Sequence, residues 1–126
     1  MTEQEAPGPA VEDPAEAIKS RLRADLRSAM IAKDALRVRA LRALIAAVDD
    51  AQAVPPAAGQ PRYVVHAFGD RSVEVPRLRL TDDDVQRLLR HEAAARTSAA
   101  EEMERLDQNE RAQELRLEAA IITRYR

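Results

Sequence analysis

Apolar side chains recur every three or four residues along most of this chain, which is the spacing of one face of an α-helix. The pattern predicts an all-α domain with four helices, at about residues 14–32, 35–52, 82–106 and 110–125. Only a very short junction separates the first two helices, so we expect them to pack as an antiparallel pair.

Helix starts are marked by residues that cap N-termini. Asp13 stands before Pro14 and is followed by Glu16, a capping-box arrangement with proline at the first helical position. Asp34 and Thr81 occupy the equivalent place before the second and third helices, and three aspartates follow Thr81 at the positive end of the helix dipole.

The segment between the second and third helices has a different pattern. Its proline-rich beginning is followed by β-branched runs at residues 62–68 and 71–75, and the Gly69-Asp70 pair between them suits a two-residue turn. We predict a β-hairpin inserted between helices 2 and 3, at about residues 54–79, with a loose loop as the alternative. Residues 1–13 are predicted to be a disordered acidic tail, which leaves residues 14–126 as one helical domain.

Composition narrows the classes of function. The 126 residues contain no cysteine, which excludes disulfides and cysteine-ligated metal sites. The start of the chain is acidic without an apolar core, so we expect no signal peptide, no membrane span and a cytoplasmic protein. The net charge of −2 combines a basic first half with an acidic second half, which we interpret as pairing between the halves.

Charged residues also stand on the apolar faces of three predicted helices. They are Arg37 in the second, Glu92 and Arg96 in the third, and Glu118 in the fourth. A charge on a core face costs too much to be left unpaired. We therefore predict a polar layer across the bundle, with Arg37 opposite Glu92. A structural role in fixing helix register is the leading interpretation, and a ligand or partner site is the alternative.

Four arginines on the first two helices form a second candidate surface: Arg21, Arg27, Arg39 and Arg42. Without interleaved aromatic residues, such a surface would contact the phosphates of RNA rather than its bases. An ordinary solvated face is the alternative. The chain has no glycine-rich phosphate loop, no nucleophile motif and no histidines at ligand spacing. We accordingly predict no catalytic, cofactor-binding or metal-binding residues.

Several short motifs occur in a fixed order between residues 18 and 126. They are Lys33-Asp34, Leu36-Arg37, Leu41-Arg42, Leu80-Thr81-Asp82, Val85, Glu92, Arg96, Glu118, Ile121 and Tyr125. In these motifs the chain resembles the GatB/YqeY family, specifically the N-terminal helical part of YqeY-like proteins. It departs from the family pattern in the inserted segment and at Thr97-Ser98, and relatives continue into a second small helical domain.

The resemblance implies a four-helix, YqeY-like cytoplasmic domain. A domain of this kind also forms the tail of the B subunit of the tRNA-dependent amidotransferase, where it is associated with tRNA. Our leading hypothesis is a non-catalytic accessory or interaction domain of YqeY type, linked to amidotransferase function, with a protein partner, tRNA or both. The alternative is a tRNA- or RNA-binding module that uses the basic face. An enzyme in its own right comes third.

Overall fold

The structure, a computed structural model, describes residues 13–53 and 77–126. These residues form four α-helices: α1 (Pro14–Ile31), α2 (Ala35–Gln52), α3 (Asp82–Arg105) and α4 (Asn109–Thr123). The predicted all-α domain with four helices is confirmed, and each predicted helix end lies within two residues of its observed place. None of these four helices combines the length and apolarity that crossing a lipid bilayer requires.

Capping side chains begin three of these helices. The Asp13 carboxylate accepts a hydrogen bond from the Ala15 amide at 3.0 Å, and Asp34 caps α2 in the same way. The reciprocal capping box forms at α3, where Thr81 and Asp84 each accept from the other's backbone amide. At α1 the predicted partner Glu16 contacts the Lys19 ammonium instead, at 3.2 Å.

Two turns of the same type join the helices in pairs. Lys33 in the first turn and Asp107 in the second adopt the left-handed conformation, with φ of 59° and 58°. The Asp34 amide donates to the Ala29 carbonyl at 3.0 Å, and the second turn repeats this bond at 2.8 Å. This is the Schellman arrangement, which ends one helix and reverses the chain. Residues 13–53 and 77–126 are therefore arranged as two helical hairpins, α1–α2 and α3–α4.

The hairpins pack together mainly where α2 meets α4. All four helices contribute to one aliphatic core, and its fully buried members include Leu22, Leu41, Leu44, Val48, Leu89 and Ile122. A smaller cluster draws on α3 and α4 alone: Ala100, Ala112 and Leu115, with Ala99 and Met103 packed against them. The distal part of the α3–α4 hairpin is thus held together without side chains of α1 or α2 in its core.

The two ends of the inserted segment lie side by side. Ala53 and Arg77 form an isolated antiparallel bridge, and the Leu78 amide donates to the Gln52 carbonyl at 2.8 Å. These contacts bring the start of α3 back to the end of α2. The predicted hairpin at residues 62–75 lies outside the described residues, as does the predicted acidic tail apart from Asp13.

Replacing Lys33 by glycine is expected to stabilise the fold. A side chain with a Cβ atom is disfavoured in the left-handed conformation, so Lys33→Gly should raise the free energy of unfolding by about 0.5–1 kcal/mol. Urea denaturation followed by circular dichroism measures this change. Lys33→Ala removes the same charge but keeps the Cβ atom, so equal stability of the two variants would contradict the explanation.

Candidate functional site

The buried carboxylate of Glu118 is the centre of a polar layer that joins three helices. Its Oε2 atom lies 3.1 Å from Arg39 Nη2 on α2, and its Oε1 atom lies 3.4 Å from Arg96 Nε on α3. Arg96 Nη1 also contacts Glu92 Oε1 at 2.7 Å, while Arg111 approaches Glu118 from α4 itself, at 3.5 Å. Of the four residues predicted for this layer, the structure brings together Glu92, Arg96 and Glu118.

Arg37, the fourth predicted member, lies elsewhere. Its guanidinium is 3.6 Å from the Asp34 carboxylate at the start of the same helix, and this is its acidic partner among the described residues. The predicted pairing of Arg37 with Glu92 is therefore wrong. Arg39 was predicted on the basic face, but α4 packs along that side of α2, and the long Arg39 side chain reaches Glu118 from the edge.

The polar layer separates the two apolar clusters. Arg96 stands between Ala93 and Ala100 on α3, and each of these alanines belongs to a different cluster. Glu118 has the same position on α4. Each buried charge of the layer has an opposite charge within salt-bridge distance, although Arg96 Nε is buried without a hydrogen bond. A structural role in setting the register of α2, α3 and α4 is the simplest account of this arrangement.

A second buried charge, Lys19, was missed in the prediction from sequence. Its side chain is 2% exposed, and its ammonium lies 2.9 Å from Asp49 and 3.2 Å from Glu16. The signal was available, because Lys19 follows Ile18 and precedes Leu22 by three residues, on the apolar face of α1. The contact between Lys19 and Asp49 joins α1 to the C-terminal half of α2.

Tyr125, two residues after the end of α4, is held in a third polar cluster. Its buried hydroxyl donates to the carboxylate of Asp25, and the guanidinium carbon of Arg21 lies 5.1 Å from the centre of its ring. Burial, followed by the hydrogen bond and the negative charge of Asp25, raises the pKa of Tyr125 to about 12. Arg21, predicted as part of the basic face, is thus engaged with Tyr125, which follows α4.

An open groove of about 640 Å³ lies beside the turn between α1 and α2. We call it the α1–α2 groove, and the residues that line it are Met30, Lys33, Ala35, Val38, Arg39 and Arg42. Met30 is 49% exposed and the neighbouring Ile31 is 84% exposed. Three cations and no acid line the groove, and within the described residues Lys33 and Arg42 form no salt bridge.

The predicted basic face is divided by this geometry. Arg39 and Arg42 lie together in the α1–α2 groove, although Arg39 is shared with Glu114 and Glu118. Arg27 is exposed and stands three residues before Met30 on α1, so the two share a helix face. Arg21 is not among the residues that line the groove. The exposed apolar surface of the groove, to which Met30 contributes, had not been predicted.

A cleft of similar size, about 630 Å³, lies between the end of α2 and the start of α3. Three of its polar side chains, Asp84, Arg87 and Glu92, make local contacts. The Thr81 amide and the Arg87 side chain donate to Asp84 and hold the pKa of that carboxyl below its ordinary value, while Glu92 pairs with Arg96. Among the described residues, no group of three or more histidines and carboxylates is placed to hold a metal ion.

Comparison of the chain with protein-family models, curated proteins and solved structures finds no match. The two larger clefts differ in their charge: cations and no acid line the α1–α2 groove, whereas Asp50, Asp84 and Glu92 line the other cleft.

Removing the central carboxylate should destabilise the fold strongly. Glu118→Gln leaves the buried Arg96 guanidinium with one partner fewer, and we expect a loss of about 3 kcal/mol in the free energy of unfolding. Glu114→Gln removes an exposed acid that contacts the same Arg39, and it should cost less than about 1 kcal/mol. Chemical denaturation of both variants tests the polar layer, and equal losses would contradict it.

The Tyr125 cluster predicts a specific pH dependence. The unfolded chain releases the tyrosine proton near pH 10, whereas the folded chain retains it to about pH 12, so the free energy of unfolding falls as pH rises through this range. Tyr125→Phe should lack this part of the fall, and Tyr63→Phe should retain it. Denaturation curves between pH 9 and about pH 12 measure the difference. Parallel profiles for the two variants would rule the cluster out as the cause.

Proposed function

We propose that this chain is a helical accessory domain of YqeY type, which acts by binding a protein partner rather than by catalysis. The observation that carries the proposal is the α1–α2 groove, where an open apolar floor lies beside cations. Exposed apolar patches bordered by polar groups are typical of protein-interaction surfaces. Methionine suits such a floor, because its flexible and polarizable side chain adapts to the surface of a partner.

The resemblance to the GatB/YqeY family supplies the setting of this proposal. It favours a cytoplasmic location and a partner that belongs to the machinery of the tRNA-dependent amidotransferase. The resemblance also includes Lys33 and Arg42, two of the cations that line the α1–α2 groove. The residues that suggested the family and the residues of the candidate contact surface therefore overlap.

Binding of tRNA or another RNA is the second candidate function. Three cations favour it, because Arg27, Lys33 and Arg42 form no salt bridge among the described residues. Arg21 and Arg39, the other predicted contacts, are instead engaged with Tyr125 and Glu118. A phosphate-binding surface gains affinity with the number of cations it presents, and this one retains few, so we place the protein partner first.

Affinity capture from a native lysate tests the proposed function. The groove variant Met30→Glu/Arg42→Glu replaces one exposed apolar side chain and one exposed cation of the α1–α2 groove by acids. Leu117→Glu/Arg90→Glu is a matched control, because Leu117 is 48% exposed, Arg90 is also exposed, and neither lines the groove. We expect a protein that is retained by the wild type and the control and lost by the groove variant.

Parallel captures with and without nuclease separate the two candidate functions. Retention that survives nuclease treatment supports a protein partner. Retention that disappears, together with binding of labelled tRNA that weakens steeply with salt, favours the RNA-binding function. If the groove variant captures the same proteins as the wild type, the α1–α2 groove is not the contact surface and the proposed function is wrong.

A further inference from the structure

We infer that the α1–α2 groove receives an acidic amphipathic helix of the partner protein. The inference rests on the proposed function and specifies the chemistry of the partner at the same site. It combines three properties of the groove: the shape and composition of its floor, the sign of the charge around it, and the secondary structure of the elements that form it.

The apolar floor fits a row of aliphatic side chains. Met30 lines the groove from α1, and Val38 lines it from α2. The small side chain of Ala35, which falls between them in the sequence, lines it as well. A partner helix presents apolar residues at positions i, i+3 or i+4, and i+7, which form one continuous stripe. A groove of about 640 Å³ accommodates several such side chains and covers the exposed part of Met30.

The charge around the floor selects an acidic partner. Lys33 and Arg42 line the groove without an acidic partner among the described residues, whereas Arg39, which also lines it, is shared with Glu114 and Glu118. Ala35 is the first residue of α2, so the positive end of that helix dipole also lies at the groove. Asp34 caps this helix end, but its carboxylate accepts from the Arg37 amide and lies near the Arg37 guanidinium. A helix with glutamates or aspartates beside its apolar stripe complements this arrangement.

The structure around the groove favours a helix over an extended peptide. A strand binds by extending an open sheet edge, and the α1–α2 groove is formed by two helices and the turn between them, which offer no such edge. RNA fits less well, because its phosphates would use the cations but leave the apolar floor uncovered. The groove also carries no aromatic ring on which a base could stack.

The Schellman turn gives the groove a defined shape. Its two backbone hydrogen bonds, from Asp34 to Ala29 and from Lys33 to Met30, fix the positions of Lys33 and Met30 relative to α2. A preformed groove loses little conformational entropy when the partner binds. When the partner binds, its helix therefore has to become ordered, whereas the groove that receives it is already formed.

A peptide selection tests the inference with defined probes. The displayed library contains 16-residue helical peptides with leucine fixed along one face and with glutamate, lysine, glutamine or alanine at the flanking positions. The full chain is the target, and the groove variant Met30→Glu/Arg42→Glu is used for counter-selection. We expect the retained peptides to be enriched in glutamate at the flanking positions.

Fluorescence anisotropy of a selected peptide provides the quantitative test. The groove variant should weaken binding by about tenfold or more, while the control Leu117→Glu/Arg90→Glu should remain within about twofold of the wild type. Backbone amide resonances of residues 27–42 should shift when the peptide is added. Thermal midpoints of both variants verify that each is folded before its affinity is compared.

Four outcomes would overturn the inference. Retained peptides without an excess of acid, or an acidic peptide that binds the groove variant as tightly as the wild type, would each do so. Selection of no peptide would also overturn it. Self-association of the wild type that the groove variant loses, without acidic-peptide binding, would assign the groove to a second copy of the chain. None of these results decides the proposed function, which the lysate capture tests separately.

Discussion

The ion pair network around Glu118 is the interaction on which the arrangement of the helices depends. The α3–α4 hairpin has its own apolar cluster, and both hairpins close through local turns. What remains to be specified is how one hairpin lies against the other. Apolar contacts between small aliphatic side chains tolerate sliding, whereas a buried carboxylate must meet its arginines. Arg39 and Arg96 reach Glu118 from α2 and α3, so one carboxylate on α4 sets the register of three helices.

Helix positions followed from the sequence because their determinants are local. Asp34 and Thr81 cap the helices that follow them, and the apolar period continues from each cap to the next break. Glu92, Arg96 and Glu118 stood on core faces, which placed them in the layer without any knowledge of packing. Local sequence patterns predict the helix positions and the core faces because helix propensity and capping act within a few residues.

The predictions that proved wrong or incomplete concern residues whose surroundings depend on which helix packs beside another. The choice between Arg37 and Arg39 is decided by the path of α4 along α2, which helix phase does not specify. The α1–α2 groove was not predicted because a groove is formed by two elements, and Met30 lies within the apolar pattern of α1 while being half exposed in the fold. Lys19 is a different kind of omission, since its position on the apolar face was readable.

The two turns carry different residues at their left-handed positions, and the difference concerns both the stability of the fold and the proposed contact surface. Glycine is the residue that best suits this conformation, and aspartate tolerates it because its short side chain bonds locally. Asp107 is therefore a reasonable choice in a turn that only reverses the chain. Lys33 has neither advantage, and its side chain lines the α1–α2 groove beside Met30. Lysine at this position is less stable than glycine would be, and the proposed contact surface gives its side chain a role in binding. Arg39 belongs to both the polar layer and the groove, so its substitution would confound stability with binding, and Met30 and Arg42 remain the residues that separate them.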